Sequence, residues 1–261
     1  MSQEVSAQPN IQYLNVGKDE EARDIAYIAG EGSKAKPGLF WLSGFKSSML
    51  GLKAEALAQW AHANNHACTR IDYSGHGASH GDFLDGTITR WLEEALAVFE
   101  AVTKGPQIII GSSMGGWLAL LLAHSLAREN RVVGLILIAP AWDMTECLMM
   151  KRLSDEAKDA LEKDGFYKRP SEYQDDDYII TKKLMDDGQY HLIGDKKMHL
   201  NCPLHILHGQ KDVDVPWQHG QELMTLLPRD DVTFTLVPDG DHRLSRDEDL
   251  DRLLKIIETI V

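Results

Sequence analysis

Gln107-Ile108-Ile109-Ile110-Gly111-Ser112-Ser113-Met114-Gly115-Gly116-Trp117-Leu118-Ala119 is the stretch on which the reading of this chain turns. Its first part is a β-branched run, apolar on both faces, as a strand covered by helices on both sides must be. Its last part opens a helix. The joint, Gly111-Ser112-Ser113-Met114-Gly115, is a G-x-S-x-G pattern. A serine there sits on a strained strand-to-helix turn that lifts its hydroxyl out of the sheet. The residues two before and two after it come close together and must be small; both are glycine. Ser112 holds the variable position, so the spacing selects Ser113. The helix start adds a positive dipole beneath it. The plainer alternative is a glycine-rich turn with an ordinary serine.

Outward from this joint, short apolar runs alternate with longer amphipathic stretches. That alternation predicts an α/β fold, a mostly parallel central sheet flanked by helices. Strands are expected over 25–29, 39–43, 67–72, 107–111, 133–138, 204–208 and 232–237, and helices over 48–63, 87–103, 115–128, 218–227 and 245–260. Between Pro140 and Pro203 lie roughly 60 residues where a simple crossover needs about a dozen. Helices are expected there over 154–163 and 179–187, with a turn-rich stretch over 168–177. We read residues 141–200 as a helical cap inserted after a central strand, and 1–140 with 201–261 as the core. Long insertions in compact domains are usually functional; the alternative is an enlarged crossover with no role over the site.

A serine hydroxyl is a poor nucleophile until a base removes its proton. In a fold with this turn the order along the chain is Ser, acid, His. Only His191, His199, His205, His208, His219 and His242 then qualify as base. His191 and His199 fall in or beside the cap. His205 and His208 lie on a strand, with His208 packing or hydrogen-bonding at its end, and His219 opens a surface-type helix. His242, in Asp239-Gly240-Asp241-His242-Arg243, follows the last strand, where such folds place catalytic groups. The acid should follow the strand before it, where Asp212 and Asp214 compete. Pro216-Trp217 starts the next helix, so Asp214 suits a helix-capping or first-turn carboxylate. Asp212 sits in the loop itself and is favoured; Asp143, after Pro140, is a distant third candidate. The developing oxyanion needs donors. The backbone N–H groups of Met114 and, in the loop Gly44-Phe45-Lys46-Ser47, of Phe45 are the candidates. Asp72-Tyr73-Ser74-Gly75-His76-Gly77 also holds Asp, Ser and His, but adjacent residues cannot build a triad, and the segment reads as a structural turn after a strand.

The chain has 261 residues, 27 basic against 40 acidic, for a net charge of −13. That length suits one capped domain. The acidic balance argues against nucleic acid or an anionic membrane as the main partner. Cys68, Cys147 and Cys202, odd in number and widely spaced, fit neither a disulfide framework nor a zinc site. No signal peptide is visible, and no apolar run reaches the ~18 residues of a membrane span. These features lead to the expectation of a cytoplasmic protein. With no ligand cluster and no phosphate-cradling loop, neither metal nor cofactor is expected.

Together the Gly111–Gly115 joint, His208-Gly209-x-x-Asp212-x-x-Val215-Pro216 and Asp241-His242 resemble the α/β-hydrolase superfamily over nearly the whole chain. His66-Ala67-Cys68, Asp72-Tyr73-Ser74-Gly75, Gly105-Pro106-Gln107-Ile108, Asn201-Cys202-Pro203 and Val215-Pro216-Trp217 narrow this to a resemblance to the family of α/β-hydrolase domain-containing protein 10. Its animal mitochondrial members are described as S-depalmitoylating acyl-protein thioesterases and acyl-glucuronide esterases. The resemblance implies the α/β-hydrolase fold and a serine hydrolase of esters and thioesters, with Ser113, Asp212 and His242 as triad. The resemblance also implies a small-molecule or acylated substrate, and with no mitochondrial leader visible in these residues a bacterial relative is expected. Many superfamily members carry His-Gly before the oxyanion residue, where this chain has Ser43-Gly44-Phe45.

Trp117, Trp142, Met144, Leu148, Met149, Met150 and Trp217 offer either an apolar acyl pocket under the cap or the cap's own core. Arg243 either meets an anionic leaving group or forms a surface salt bridge. Two other functions stay open: a lactonase or C–C bond hydrolase on the same fold, and a non-catalytic receptor that retains it.

Overall fold

Strands β1 (Gln12–Val16), β2 (Arg23–Gly30), β3 (Gly38–Leu42), β4 (Cys68–Ile71), β5 (Gln107–Ser112), β6 (Val132–Ile138), β9 (Leu204–Gly209) and β10 (Val232–Val237) form one sheet, in the order β1-β2-β4-β3-β5-β6-β9-β10. The structure is a computed structural model and describes residues 10–169, 178–194, 196–228 and 231–261. β2 runs antiparallel to β1 and β4. From β4 to β10 every adjacent pair is parallel. All seven expected strands form, with ends shifted by a residue or two. β1 was not expected: Gln-Tyr-Leu-Asn-Val is a half-exposed edge strand with one neighbour, so its apolar signal is weak.

Side chains alternate across the sheet, and two cores result. Phe40, Leu42, Ile109, Leu135 and Leu137 face helices α2 (Ile88–Val102) and α3 (Met114–Ser125), with Trp91, Phe99 and Trp117 buried between. Leu39, Trp41, Ile108, Ile110, Ile136 and Ile138 face α1 (Leu52–Ala63) and α7 (Asp247–Glu258). Thr87 caps α2 by accepting the Arg90 N–H. α6 (Trp217–Leu226) packs on β9 and β10.

Between β6 and β9 the chain leaves the sheet. It forms a π-helical turn (Met144–Met149), α4 (Asp155–Asp164), an antiparallel hairpin of β7 (Phe166–Arg169) and β8 (Tyr178–Thr181), and α5 (Lys182–Gly188). Ser154 caps α4 by accepting the Ala157 N–H. The helix expected over 179–187 starts later: Ile179, Ile180 and Thr181 pair with β7, and Thr181 then caps α5. Of the turn-rich 168–177, Lys168 and Arg169 belong to β7, and 170–177 lie outside the described residues. The excursion therefore holds a small sheet besides its helices.

Two contacts fasten its ends. Asp143 stands in a left-handed conformation (φ 48°), and its carboxylate accepts the N–H groups of Ile193 (2.8 Å) and Gly194 (2.8 Å). Trp142 stacks on His219 of α6 with centroids 4.2 Å apart. Trp142 Nε1–H donates to the His219 carbonyl and His219 Nε2–H to the Trp142 carbonyl, both at 2.8 Å. His219 is thus a buried clamp and not a surface residue, since its ring is covered by the excursion. Burial holds it neutral, with its pKa down at about 4.

A pH dependence of stability follows. On acidification the unfolded chain protonates His219 from its ordinary 6.5, while the folded chain resists until about 4. Stability is therefore full above 6.5 and declines as pH falls toward 4. His219 should remove about 2 kcal/mol between pH 7.5 and pH 5. Urea unfolding of the wild type and His219→Gln at both pH values checks this: the variant should lose that share of the slope.

Candidate active site

Ser113 stands between β5 and α3 with φ 54° and ψ −120°, which a side-chain-bearing residue seldom adopts. Such strain costs about 1–3 kcal/mol and persists only where surroundings impose it. They do so here. A Cβ on Gly111 would lie 2.2 Å from the Gly115 carbonyl oxygen, and one on Gly115 would lie 2.2 Å from that of Leu42. The Ser113 N–H donates to Ile138 at the end of β6 (2.9 Å), and the Ser113 carbonyl accepts from Ala141 (3.1 Å). The hydroxyl is left at the C-terminal edge of the sheet.

His242 and Asp212 reach it from the loops after β10 and β9. The loops touch because residue 209 lacks a side chain: a Cβ there would sit 2.4 Å from the Gly240 oxygen. His242 Nδ1–H donates to Asp212 Oδ2 (2.7 Å), which leaves Nε2 to accept from Ser113 Oγ–H (3.1 Å). Asp212 Oδ1 accepts the N–H groups of Asp214 (3.0 Å) and Val215 (2.8 Å). His208, fully buried, donates Nε2–H to the Val215 carbonyl (2.9 Å) and lies 3.4 Å from Asp212 Oδ2. Burial would raise the Asp212 carboxyl, but His208, His242 and the Val215 N–H outweigh it and hold it at about 2. The acid is therefore ionised at neutral pH.

The other two candidate acids are engaged elsewhere. Asp214 makes no cap for α6 and instead pairs with Arg169 of β7 at 2.9 Å, because the hairpin brings that guanidinium over the loop. Asp143 is spent on the amides of Ile193 and Gly194. Asp212, Asp214 and His242 place ligand atoms within 4.8 Å of one another, the one such cation-sized group among the described residues. Those atoms already bond to each other, to backbone amides or to Arg169.

The loop after β3 lies against the serine, with a Cβ on Gly44 only 3.3 Å from Ser113 Cβ. Ser47 N–H donates to the Gly44 carbonyl (3.1 Å), closing a turn whose third residue, Lys46, has φ 55°. Among the described residues neither the Phe45 nor the Met114 N–H donates to a protein acceptor. The segment 72–77 is structural, as its pattern suggests. Asp72 accepts the N–H groups of Met49 (2.6 Å) and Ala78 (2.9 Å), while buried His76 accepts the Lys46 N–H at Nε2 (3.1 Å). That last contact has no signal in the sequence.

A cavity of about 180 Å³ opens over Ser113. Phe45, Met144, Leu148, Met149 and Ile180 supply apolar wall, and Lys53, Arg152, Arg169 and Arg243 the cations. Met149 thus stands where the sequence suggested. Three tryptophans do not. Trp117 is fully buried on the sheet side of α3, and Trp142 is turned onto His219. Trp217, at the start of α6, is likewise not among the lining residues. Helix periodicity brings apolar residues together without saying which side of the sheet they fill. Lys53, Arg152 and Arg169 carry no such signal, since exposed and cavity-lining cations look alike in sequence.

With this strand order and a serine raised on the turn after β5, the chain belongs to the alpha/beta hydrolase family, whose model matches residues 37–255. Among known proteins it is similar to human mitochondrial palmitoyl-protein thioesterase ABHD10, 33% identical over 240 residues, which are 91% of this chain and 78% of that one. The solved structure of mouse alpha/beta hydrolase domain-containing protein 10 superposes with a TM-score of 0.84 at 31% identity, covering 96% of this chain and 97% of that one. A putative hydrolase from Agrobacterium vitis S4 superposes at 0.94 with 42% identity, covering 98% and 100%.

The close packing at the turn makes Gly115→Ala a sharp test. Its Cβ must displace the Leu42 and Ser43 carbonyls (2.2 and 2.5 Å). A loss of several kcal/mol is expected, at the upper end of single substitutions, read as a fall in melting temperature. Gly105→Ala, at a site with nothing within 4 Å, is the comparison for left-handed strain alone.

Proposed function

We propose that the protein is a serine hydrolase that cleaves carboxylic esters or thioesters of apolar acyl groups through an acyl-enzyme. The observation that carries this is the hydrogen-bonded chain Ser113–His242–Asp212, with the serine on its strained turn. Ser113 Oγ attacks the carbonyl carbon while His242 Nε2 takes its proton. Asp212, ionised, holds the ring in the tautomer that accepts at Nε2 and stabilises the imidazolium. The Met114 and Phe45 N–H groups, uncommitted among the described residues, receive the oxyanion. The C–O or C–S bond breaks, the leaving group takes the proton from His242, and the acyl group remains on Ser113. Water then attacks the acyl carbon as His242 takes its proton, the bond to Ser113 Oγ breaks, His242 returns that proton to Oγ, and the free acid leaves.

The apolar wall of Phe45, Met144, Leu148, Met149 and Ile180 supports an apolar acyl group. The relatives' name, palmitoyl-protein thioesterase, agrees with a thioester among the substrates. His242 returns its proton to the leaving group, so the groups beside it face that group. Lys53 donates to the Arg243 carbonyl and to Ser245 Oγ (3.2 Å), and both cations line the cavity. Burial lowers Lys53 to about 8, which keeps it mostly charged at neutral pH. This pair supports a leaving group bearing a carboxylate or phosphate. The segment 141–200 acts as the cap of this pocket. Cys68, Cys147 and Cys202 are in no disulfide among the described residues, which supports a cytoplasmic setting.

A fluorophosphonate should label Ser113 in the wild type and fail on Ser113→Ala at unchanged melting temperature; labelling that survives the substitution would falsify the assignment. Asp212→Asn should lose about 10⁴-fold in kcat, and Asp214→Asn far less; equal losses would overturn the choice of acid. With p-nitrophenyl esters, octanoate should be cleaved with a kcat/KM at least equal to acetate. Arg243→Gln should raise KM for an ester whose alcohol carries a carboxylate, and leave that of its uncharged analogue unchanged.

A further inference from the structure

His76 lies outside the triad and the cavity wall, yet it touches the loop that the proposed mechanism depends on. The turn Gly44-Phe45-Lys46-Ser47 has Lys46 at its third position with φ 55°, where glycine is usual because a Cβ is strained there. Rotation of the Phe45–Lys46 peptide plane would relieve Lys46. It would also re-aim the preceding residue, whose N–H is the proposed oxyanion donor. One contact opposes that rotation directly: the Lys46 N–H, which lies in that plane, donates to His76 Nε2 at 3.1 Å.

The ring is built for this contact. His76 is 3% exposed, with Tyr73, Phe83 and Trp91 edge-on around it at 5.5, 5.2 and 5.2 Å. Its Nδ1–H donates to the Ser74 carbonyl (3.2 Å), so the neutral ring must present its lone pair at Nε2. Burial keeps it neutral, lowering its pKa to about 4. Phe45 packs on the same cluster, 4.9 Å from Phe83 and 6.1 Å from Trp91. The turn is therefore held by the Phe45 ring, by the Lys46 amide and by the Lys46 ammonium over Phe83 (5.5 Å) and Tyr178 (5.2 Å), while Gly44 rests on Ser113.

We propose that His76 is a positioning residue for the oxyanion hole, holding the Lys46 amide so that the Phe45 N–H points at the carbonyl bound over Ser113. This rests on the serine-hydrolase reading above. It makes the segment 72–77 part of the reaction through the loop it holds, and not through its own acid–base chemistry.

The test is steady-state hydrolysis of one p-nitrophenyl ester by His76→Phe and His76→Gln, with melting temperatures. His76→Phe keeps the aromatic packing and removes the acceptor. It should lower kcat by about 10–100-fold, in the range for a displaced oxyanion donor, with KM within about threefold. His76→Gln, whose amide oxygen can accept the same N–H, should recover most of that loss. Lys46→Gly removes the strain together with the Lys46 ammonium over Phe83 and Tyr178; measured against that single variant, adding His76→Phe should cost less than it does in the wild type. If His76→Phe does not fold, His76→Met replaces it as the variant without a strong acceptor. Unchanged kcat in His76→Phe, equal losses in Phe and Gln, or full additivity with Lys46→Gly would each overturn the proposal. Wild-type turnover abolished by Ser113→Ala keeps these outcomes separate from the parent reading. Turnover that survives Ser113→Ala would sink that reading, and this inference with it.

Discussion

The close approach of Gly111 to Gly115 is the constraint on which the rest of the site depends. It lets β5 turn into α3 within one residue, and Ser113 takes the strained conformation that results. The same contact seats α3 on the Leu42 and Ser43 carbonyls, so the loop after β3 must pass over the serine. Ser113 then bonds to Ile138 and Ala141, fixing the departure point of the excursion. The strain at one serine is thus imposed by β5 and α3, which flank it, and held by β3 and β6, which are distant from it in sequence.

Electrostatics at the site run against the chain's average. The protein carries −13, yet the cavity over Ser113 is edged by Lys53, Arg152, Arg169 and Arg243 against one carboxylate among the described residues, Asp214, which Arg169 pairs. A net charge describes the far field and the solubility; the near field is set by which side chains the fold turns inward. Asp212 shows the same principle on a smaller scale. A buried carboxylate is costly unless it is paired, and here two histidines and two amides pair it. Its neighbour Asp214 reaches across to Arg169 instead, which links the acid's loop to the hairpin of the excursion.

Much of this was legible in the chain. The β-branched runs marked seven strands because a doubly covered sheet needs apolar residues on both faces. The glycine spacing selected Ser113, and the order of loops singled out Asp212 and His242, which the fold brings into one hydrogen-bonded chain. Less was legible where a residue's surroundings come from distant segments. β1, half exposed at the sheet edge, carries little apolar signal. Ile179-Ile180-Thr181 read as helix because its partner strand β7 is not adjacent in pattern. Trp117 and Trp142 fit a pocket or a core equally well in the sequence, because an apolar side chain looks the same whether it faces a core or a cavity.

Local sequence by itself therefore determined the α/β alternation, the strained serine turn and the candidate acid and base, since each rests on spacing, chain order or a residue's intrinsic geometry. Only the tertiary structure decided which cations edge the cavity, that Asp143 and His219 fasten the excursion, and that His76 grips the loop at Lys46. Those roles are contacts between residues 30 to 77 positions apart. No periodicity or motif encodes them, because they exist only once the sheet has brought its loops to one edge.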